Sequence, residues 1–344
     1  MSGGRYSVGV REFCCREAAH KDFRTAAEDL ACIGQISVSH ETVRQLVEAE
    51  GRRAVSQQRA GELGPGWTAA DCRSGPQEPT CVITGADGVK VPLVTEAEKQ
   101  KRRKRRARHK KGQPPRRPMA RGSDLPYKEF KIAAFYDPAK DHQYAIGTSG
   151  NATTLGQLIR RIASQLKVNE AEIVYCVSDG AVWIRGLYRL QLPLLEVHIL
   201  DYYHFREHVI GASQVVYGRG TAESQLWRKE ICGLMLEQGP EVVLTRIAGL
   251  RKTLRSAAKR SALEDLSKFI GKRKEMLQYP QFVAAGYEIG SGPTEAFCKT
   301  LTSRLKGASR RWDKPNAEAI MALAAVRASD LWGTYWDRQR PIPA

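Results

Sequence analysis

The chain has 344 residues, 42% of them hydrophobic, so it is long enough to bury a substantial core and to form about two or three domains. Its 55 Lys and Arg residues outnumber 37 Asp and Glu residues, and the net charge of +18 favours a phosphate-bearing partner such as nucleic acid. No apolar run approaches the roughly 18 residues of a membrane span, and the eight cysteines lack the CxxC spacing of a zinc site. We therefore expect a reduced intracellular protein without structural zinc.

Residues 1–60 have a helical pattern. An alanine-rich amphipathic segment precedes a turn centred on Gly34, and Ser39 is placed to cap a second helix that carries Arg44. This outline predicts an N-terminal, helix-turn-helix-like DNA-binding region, with Arg44 near the bases of the major groove. An ordinary helical hairpin has the same outline. Residues 61–78 are rich in Gly, Pro, Gln and Ser and predict a linker.

A first β-strand is predicted from Cys81 to Ala86. It ends at Asp87-Gly88, and the chain returns through alternating apolar residues to Leu93. The basic run that follows cannot pack in a core, so we expect a solvated loop over residues 99–121 that contacts DNA. A localisation signal or a merely solvated face is the alternative. The DNA-binding candidates in this run are Arg102, Arg103, Lys104, Arg105 and Arg106.

Residues 79–201 show the order β-β-β-α-β-α-β. After two alternating strands, a helix is predicted from Thr154 to Leu166, and a buried strand over residues 172–177 leads to Asp179. This order predicts an α/β fold with an RNase H-like core and a mixed β-sheet, in which the first and fourth strands are neighbours. Asp87 and Asp179 would then meet, although about 92 residues separate them.

The remaining sequence divides into two parts. Residues 202–285 have long stretches of helical periodicity and predict an all-helical insertion. Residues 286–344 return to the core and form its C-terminal part. Near the start of this part, Gly290 and Gly292 allow a tight backbone path, and Glu295 lies in the first turn of a predicted helix.

Asp87, Asp179 and Glu295 are the candidate catalytic residues and metal ligands. Hard divalent cations prefer oxygen ligands, and two such ions about 3.5–4 Å apart activate the attacking oxygen and stabilise the leaving oxygen of a phosphodiester displacement. Each residue also has a simpler interpretation. The two aspartates, each followed by glycine, are typical of turns, and a first-turn glutamate is favoured by the helix dipole.

Further cations are candidate DNA contacts. His204 and His208 lie at i and i+4 on a predicted helix without an evident third metal ligand, so we assign His204 to positioning DNA, with a structural histidine as the alternative. The segment after Glu295 is basic and predicts phosphate contacts and stacking on an unpaired base; a solvated helix end is the alternative. Its candidate residues are Arg304, Lys306, Arg310, Arg311 and Trp312.

Five blocks of the sequence together resemble one family. They read TGADGVKVPL, VSDGAVWI, ILDYYHFREHV, GSGPTEAFCKTLTSRLKGASRRW and NAEAIMALAAVRASDLWGTYW. On these blocks the chain resembles bacterial insertion-sequence transposases with a DDE catalytic core, specifically the ISKra-type group, over roughly residues 30–338. The resemblance implies Asp87, Asp179 and Glu295 as the catalytic triad and Mg²⁺ or Mn²⁺ as the cofactor. The segment before the helix pair is shorter than in members of this group, which predicts weak cleavage or none.

The resemblance also implies a reaction and partners. The reaction is hydrolysis at the terminal repeats of an insertion element, followed by strand transfer into target DNA. The partners are double-stranded DNA and further copies of the chain, at least a homodimer, because two element ends must be brought together. The implied location is the bacterial cytoplasm, at the nucleoid. A catalytically inactive, transposon-derived DNA-binding protein and an RNase H-like nuclease are the alternatives.

Overall fold

A mixed β-sheet forms the centre of the structure, a computed structural model that describes residues 6–73, 75, 77–107, 125–195, 197–306, 310 and 312–340. Its five strands are β1 (Cys81–Leu93), β2 (Leu125–Tyr136), β3 (Gln143–Thr148), β4 (Ile173–Ser178) and β5 (Val197–Leu200). They lie in the order β3-β2-β1-β4-β5, with antiparallel pairing among β1, β2 and β3 and parallel pairing of β1 with β4 and of β4 with β5. This is the RNase H-like strand order, so the predicted fold class is confirmed.

Helices surround the sheet and form most of the rest of the described chain. They are α1 (Val8–Ala18), α2 (Phe23–Cys32), α3 (His40–Ala60), α4 (Glu96–Ala107), α5 (Ala152–Gln165), α6 (Val182–Gln191), α7 (Tyr202–Tyr217), α8 (Ala222–Glu237), α9 (Pro240–Thr253), α10 (Ala257–Gly271), α11 (Tyr279–Ala284), α12 (Gly292–Lys306), α13 (Lys314–Ala328) and α14 (Trp332–Asp337). Within the described ranges, no helix is both long and apolar enough to cross a membrane.

Strand β1 is longer than predicted and passes through Asp87 and Gly88 without turning. It pairs with β2 from Ile83 to Leu93, and Asp87 lies opposite Ile132. The prediction that the first strand ends at Asp87-Gly88 is therefore wrong. An Asp-Gly pair supplies turn chemistry, but here the long strand β2 continues the ladder past it, and the strand pairing prevails.

Helices cover both faces of the sheet. Thr84 of β1 makes a hydrogen bond with the Tyr188 hydroxyl of α6, whereas the next residue, Gly85, lies against Thr294 of α12. Successive strand residues point to opposite faces, so α6 and α12 lie on opposite sides of the sheet. This double coverage explains why β1 is buried from Cys81 to Ala86 without alternation.

The N-terminal helices pack on the core. The Ser39 hydroxyl accepts a hydrogen bond from the Thr42 amide at 3.1 Å and caps α3, as the sequence predicts. Midway along α3, a Cβ on Gly51 would lie 2.5 Å from the Ala319 carbonyl oxygen of α13, so only glycine permits this close approach. The predicted linker also packs, because the Leu63 carbonyl accepts a hydrogen bond from Tyr144 at 2.7 Å.

The helical insertion and the basic run differ in how well they were predicted. Residues 202–285 are all described, and their regular elements are helices, in agreement with the predicted fold class. The expectation of a loop over residues 99–121 is wrong for its first part, because α4 extends to Ala107; residues 108–124 lie outside the described residues. Lys, Arg, Glu and Ala are strong helix formers, and an i,i+4 pair between Glu98 and Arg102 at 2.6 Å adds to α4.

Candidate active site

Asp87 in β1 and Asp179, directly after the neighbouring parallel strand β4, lie at the same level. The last pair of the β1–β4 ladder joins Thr84 to Cys176, and each aspartate follows its member of that pair by three residues. Burial raises the pKa of the Asp87 carboxyl; the Gly88 amide, donating at 2.5 Å, opposes this shift and the negative charge of Asp179 adds to it. The fold thus brings two of the predicted ligands together, with Asp87 in mid-strand rather than at a strand end.

Asp179 begins the connection from β4 to α6. Its carboxylate accepts a hydrogen bond from the Ala181 amide at 2.8 Å, and Gly180 adopts a φ of +68°, so the chain turns sharply while the carboxylate stays at the sheet edge. Arg273 lies within electrostatic range of Asp179: burial and Arg185 lower the pKa of Arg273, and Asp179 acts in the opposite direction. The buried Nε of Arg273 has no hydrogen-bond partner among the described residues.

Helix α12 brings Glu295 over the same part of the sheet. A Cβ on Gly85 would overlap the Thr294 hydroxyl and lie 2.8 Å from the Val177 carbonyl oxygen, so the absence of a side chain lets the start of α12 lie directly on β1 and β4. Glu295 follows Thr294. Its side chain is exposed and accepts a hydrogen bond from the Ser291 hydroxyl at 3.4 Å.

Cys298 links α12 to Asp87. It lies one helical turn after Glu295, and burial, the charge of Asp87 and a hydrogen bond with the Asp87 carboxylate raise the pKa of the Cys298 thiol. The sequence analysis considered the cysteines only as zinc ligands and did not predict this position. Cys298 follows Glu295 by three residues on a predicted helix, and this spacing could have placed the two side chains on the same helix face.

Asp201 fixes the segment that leads into α12. Ser178 pairs with Leu200, so Asp201 lies level with Asp179 on the next strand. Its carboxylate accepts amide hydrogen bonds from Ser291 at 2.5 Å and from His204 at 2.7 Å. The side chain is almost fully buried, which makes Asp201 a positioning residue, and the sequence analysis did not identify it.

The pair of aspartates suits a hard divalent cation better than the whole predicted triad does. Neighbouring like charges disfavour the ionised pair, and a cation between them would remove that repulsion while accepting oxygen ligands. Glu295, however, does not close the site. In the described part of the chain, no group of three or more His, Cys, Asp or Glu side chains is arranged to hold a metal ion.

Two of the predicted DNA contacts are structural instead. Arg304 is 4% exposed, and its guanidinium carbon lies 5.1 Å from the ring centroid of Phe23 and 5.2 Å from that of Trp312. Its Nε donates to the Ala18 carbonyl at 3.2 Å, and burial lowers its pKa to about 10. Trp312 is 6% exposed. Assigning Arg304 and Trp312 to DNA contact is therefore wrong, because both side chains are buried beside Phe23 of α2.

The other predicted contacts near the end of α12 have separate positions. Arg310 donates to the carbonyl oxygens of Ser303 at 3.2 Å and Arg304 at 2.9 Å, which closes the end of α12. Lys306 is exposed. Arg311 lies outside the described residues.

The candidate DNA contacts in the N-terminal region and in the insertion, Arg44 and His204, already make contacts within the protein. Arg44 pairs with Glu41 at 2.5 Å and with Glu48 at 2.6 Å. His204 is partly buried, and its ring centroid lies 5.0 Å from that of His208. Both assignments to DNA contact stay predictions.

Helix α4 carries the candidates of the basic run. Arg102 pairs with Glu98, whereas Arg103 and Lys104 are exposed. Arg105 and Arg106 lie in α4, but their side chains are outside the described part of the structure. The exposed cations of α4 are the ones whose predicted role agrees with their accessibility.

Comparison with known proteins leaves the family open. No protein-family model matches the sequence, and no curated protein matches it. Among solved structures, the chain is similar to the Drosophila P element transposase in its strand transfer complex, with 10% sequence identity, a TM-score of 0.44 and coverage of 96% of this chain and 94% of that chain. At this identity and TM-score, the similarity does not establish a family.

Proposed function

We propose that the protein is a DDE transposase that binds the ends of an insertion element and catalyses metal-dependent DNA cleavage and strand transfer. The observation that carries this proposal is the level placement of Asp87 in β1 and of Asp179 directly after the adjacent parallel strand β4, under the helix whose first turn holds Glu295. The carboxylates of Asp87 and Asp179 come from distant parts of the chain and have no structural need to meet on neighbouring strands. A pair of neighbouring carboxylates is what the binding of a catalytic divalent cation would require.

The side chains have separate roles in this proposal. Asp87 and Asp179 would hold the first Mg²⁺ or Mn²⁺, and Glu295 would supply a further carboxylate from its exposed position. When bound, the divalent cations activate the attacking oxygen and stabilise the leaving oxygen. Arg273 is partly exposed and places a guanidinium near Asp179, where it would bind a phosphate oxygen. Asp201 keeps α12 in register with the two strands.

DNA binding follows from the distribution of charge. The net charge of +18 gives non-specific attraction to phosphates, and Arg103 and Lys104 present two exposed cations on α4. Because strand transfer joins two element ends to one target, the active species contains at least two copies of the chain. Both features are part of the proposal.

The test is a cleavage and strand-transfer assay with a labelled DNA fragment that bears an element end, in the presence of Mg²⁺. We expect metal-dependent nicked and joined products from the wild type and none from Asp179→Asn. Asp141→Asn is the matched control, since Asp141 is an exposed aspartate on the connection between β2 and β3. Products that persist in Asp179→Asn would contradict the proposed site, and cleavage without joining would indicate a nuclease.

A DNA-binding protein without catalysis is the second candidate function. The exposure of Glu295 and the lack of a three-ligand group in the described ranges favour it. In the same assay, this candidate predicts a salt-sensitive complex with the element end and no metal-dependent product from either the wild type or Asp179→Asn.

A further inference from the structure

A cavity of about 690 Å³ lies between the first two helices of the insertion, α7 and α8. Three cationic side chains line it: Arg206 from α7, and Arg228 and Lys229 from α8. Tyr202 contributes an aromatic ring, and no Asp or Glu residue is part of the lining. The cavity therefore offers concentrated positive charge in a recess large enough for several non-hydrogen atoms.

The three cations lack compensating charge. No ion pair within 4.0 Å joins Arg206, Arg228 or Lys229 to a carboxylate among the described residues, in contrast to Arg246 of α9, which pairs with Glu230 of α8 at 2.5 Å. Like charges held around one recess repel each other, and this repulsion is relieved when an anion enters. The composition of the lining selects a ligand with more than one negative oxygen, for which Arg offers a planar pair of donors.

The cavity adjoins the candidate active site. Helix α7 starts directly after Asp201, which lies level with Asp179 in the next strand. The Tyr202 amide donates to the Ile289 carbonyl at 2.9 Å, so the cavity wall touches the segment that leads to Glu295. Neighbouring strands lie about 4.8 Å apart, which puts the start of α7 roughly 10 Å from β1 across the sheet.

Exposed apolar groups lie beside the cations. Tyr203 is 60% exposed and Leu226 is 69% exposed, although each is large and apolar. The Tyr203 ring makes an edge contact with the lining residue Tyr202 at a centroid distance of 5.9 Å, which places Tyr203 at the margin of the cavity. An exposed ring next to phosphate-binding cations is the combination by which proteins hold unpaired nucleotides.

We propose that this cavity binds phosphate groups of a single DNA strand as it leaves the Asp87–Asp179 pair, with an adjacent base stacked on Tyr203. The identification of the ligand as DNA rests on the proposed function, whereas the preference for phosphate rests on the three cations alone. A free nucleotide carries the same chemistry, and the experiment below separates the two sources.

The test measures binding of a fluorescein-labelled single-stranded oligonucleotide by anisotropy, in EDTA so that no cleavage occurs. The variants are Arg228→Gln and Lys229→Gln; their matched controls are Arg255→Gln and Lys252→Gln, exposed cations of the same insertion that do not line the cavity. We expect each cavity variant to weaken binding about tenfold. The slope of log K against log salt should fall by about 0.7 for each lost contact, and the controls should match the wild type.

Two further variants separate charge from stacking. Arg228→Lys keeps the charge and should retain the wild-type salt slope. Tyr203→Ala should weaken binding at least about fivefold without changing that slope, because stacking involves no counterion release. Both substitutions are at accessible positions, and their thermal unfolding is measured alongside to verify folding.

The outcomes are distinct from those of the catalytic assay. Cavity variants that bind like their controls would overturn this proposal even if the wild type cleaves DNA, and a wild type that does not cleave leaves the binding result valid. ATP and inorganic phosphate serve as competitors. If micromolar ATP binds the wild type, and Arg228→Gln abolishes that binding while leaving oligonucleotide binding intact, the ligand is a free nucleotide and the DNA assignment is wrong.

Discussion

Gly85 controls how closely α12 approaches the sheet, and Gly85→Ala perturbs that approach alone. The added Cβ would overlap the Thr294 hydroxyl and lie 2.8 Å from the Val177 carbonyl oxygen. Neither neighbour yields easily, because Val177 belongs to a central strand and Thr294 is 1% exposed. The helix must therefore move away from β1, and Glu295 moves with it.

The expected cost follows from overpacking of a filled core. Such an insertion destabilises by about 1–3 kcal/mol. With an unfolding entropy of about 2.1 cal/mol/K per residue, the 344-residue chain loses about 1.4 °C of Tm per kcal/mol, so we expect a fall of roughly 1.5–4 °C. Displacing a catalytic group by about 1 Å costs on the order of 100-fold in rate, so cleavage should fall far more than stability.

Calorimetry and the cleavage assay measure these two effects. Gly211→Ala in α7 is the control, since a Cβ there meets no atom within 4 Å and Ala favours a helix. Adding Thr294→Ala to Gly85→Ala should restore part of the Tm, because it removes the hydroxyl overlap and leaves the Val177 contact. A Gly85→Ala protein with wild-type Tm and wild-type cleavage would refute the close packing of α12 as the basis of the site.

Three further predictions concern buried charges. Burial and the charge of Arg185 lower the pKa of His198 to about 4. Protonation of this residue therefore favours the unfolded chain, and the free energy of unfolding should fall by about 3 kcal/mol as the pH drops from about 6.5 to 4. His198→Gln should flatten that fall in pH-dependent urea unfolding, and an unchanged slope would contradict the prediction. Burial opposes the charge of Glu318, but hydrogen bonds from Ser149 and the charge of the Arg59 guanidinium hold the pKa of Glu318 below its ordinary value. The stabilisation that the ionised Glu318 provides is therefore present at neutral pH and is lost as the pH falls through the folded-state pKa. Glu318→Gln should lack this acid-dependent loss in the same titration. Arg304→Gln should lower the free energy of unfolding by about 2 kcal/mol, because the Arg304 guanidinium contacts two rings and donates to a carbonyl. Its DNA affinity should stay within about twofold of the wild type. A normal Tm with weak DNA binding would restore the original assignment of Arg304 to DNA contact.

The parts of the fold that depend on local sequence were predictable. Ser39 caps α3 through its own first turn, and the apolar run before Asp179 forms a buried strand, because capping and hydrophobic runs are legible over a few residues. The order of strands and helices then fixed which strands are neighbours. Hence the meeting of Asp87 and Asp179 could be predicted without the structure.

The errors arose where distant partners decide. Asp87-Gly88 has turn chemistry, but its conformation is set by pairing with β2, whose length the sequence does not reveal at that point. Arg304 looked accessible on a basic helix end, yet its carbonyl partner is 286 positions away in the chain. The basic run of α4 was judged by its inability to pack in a core, while helix propensity and neighbouring charge pairs suffice to make it helical.

The central claim is that Asp87 and Asp179 together hold a divalent cation. Titration of the DNA-free protein with Mn²⁺, followed by electron paramagnetic resonance of the free ion, tests this claim without requiring an element end. We expect saturable binding to the wild type and to Asp141→Asn, and loss of that binding in both Asp87→Asn and Asp179→Asn. Equal Mn²⁺ binding by all four proteins would contradict the account.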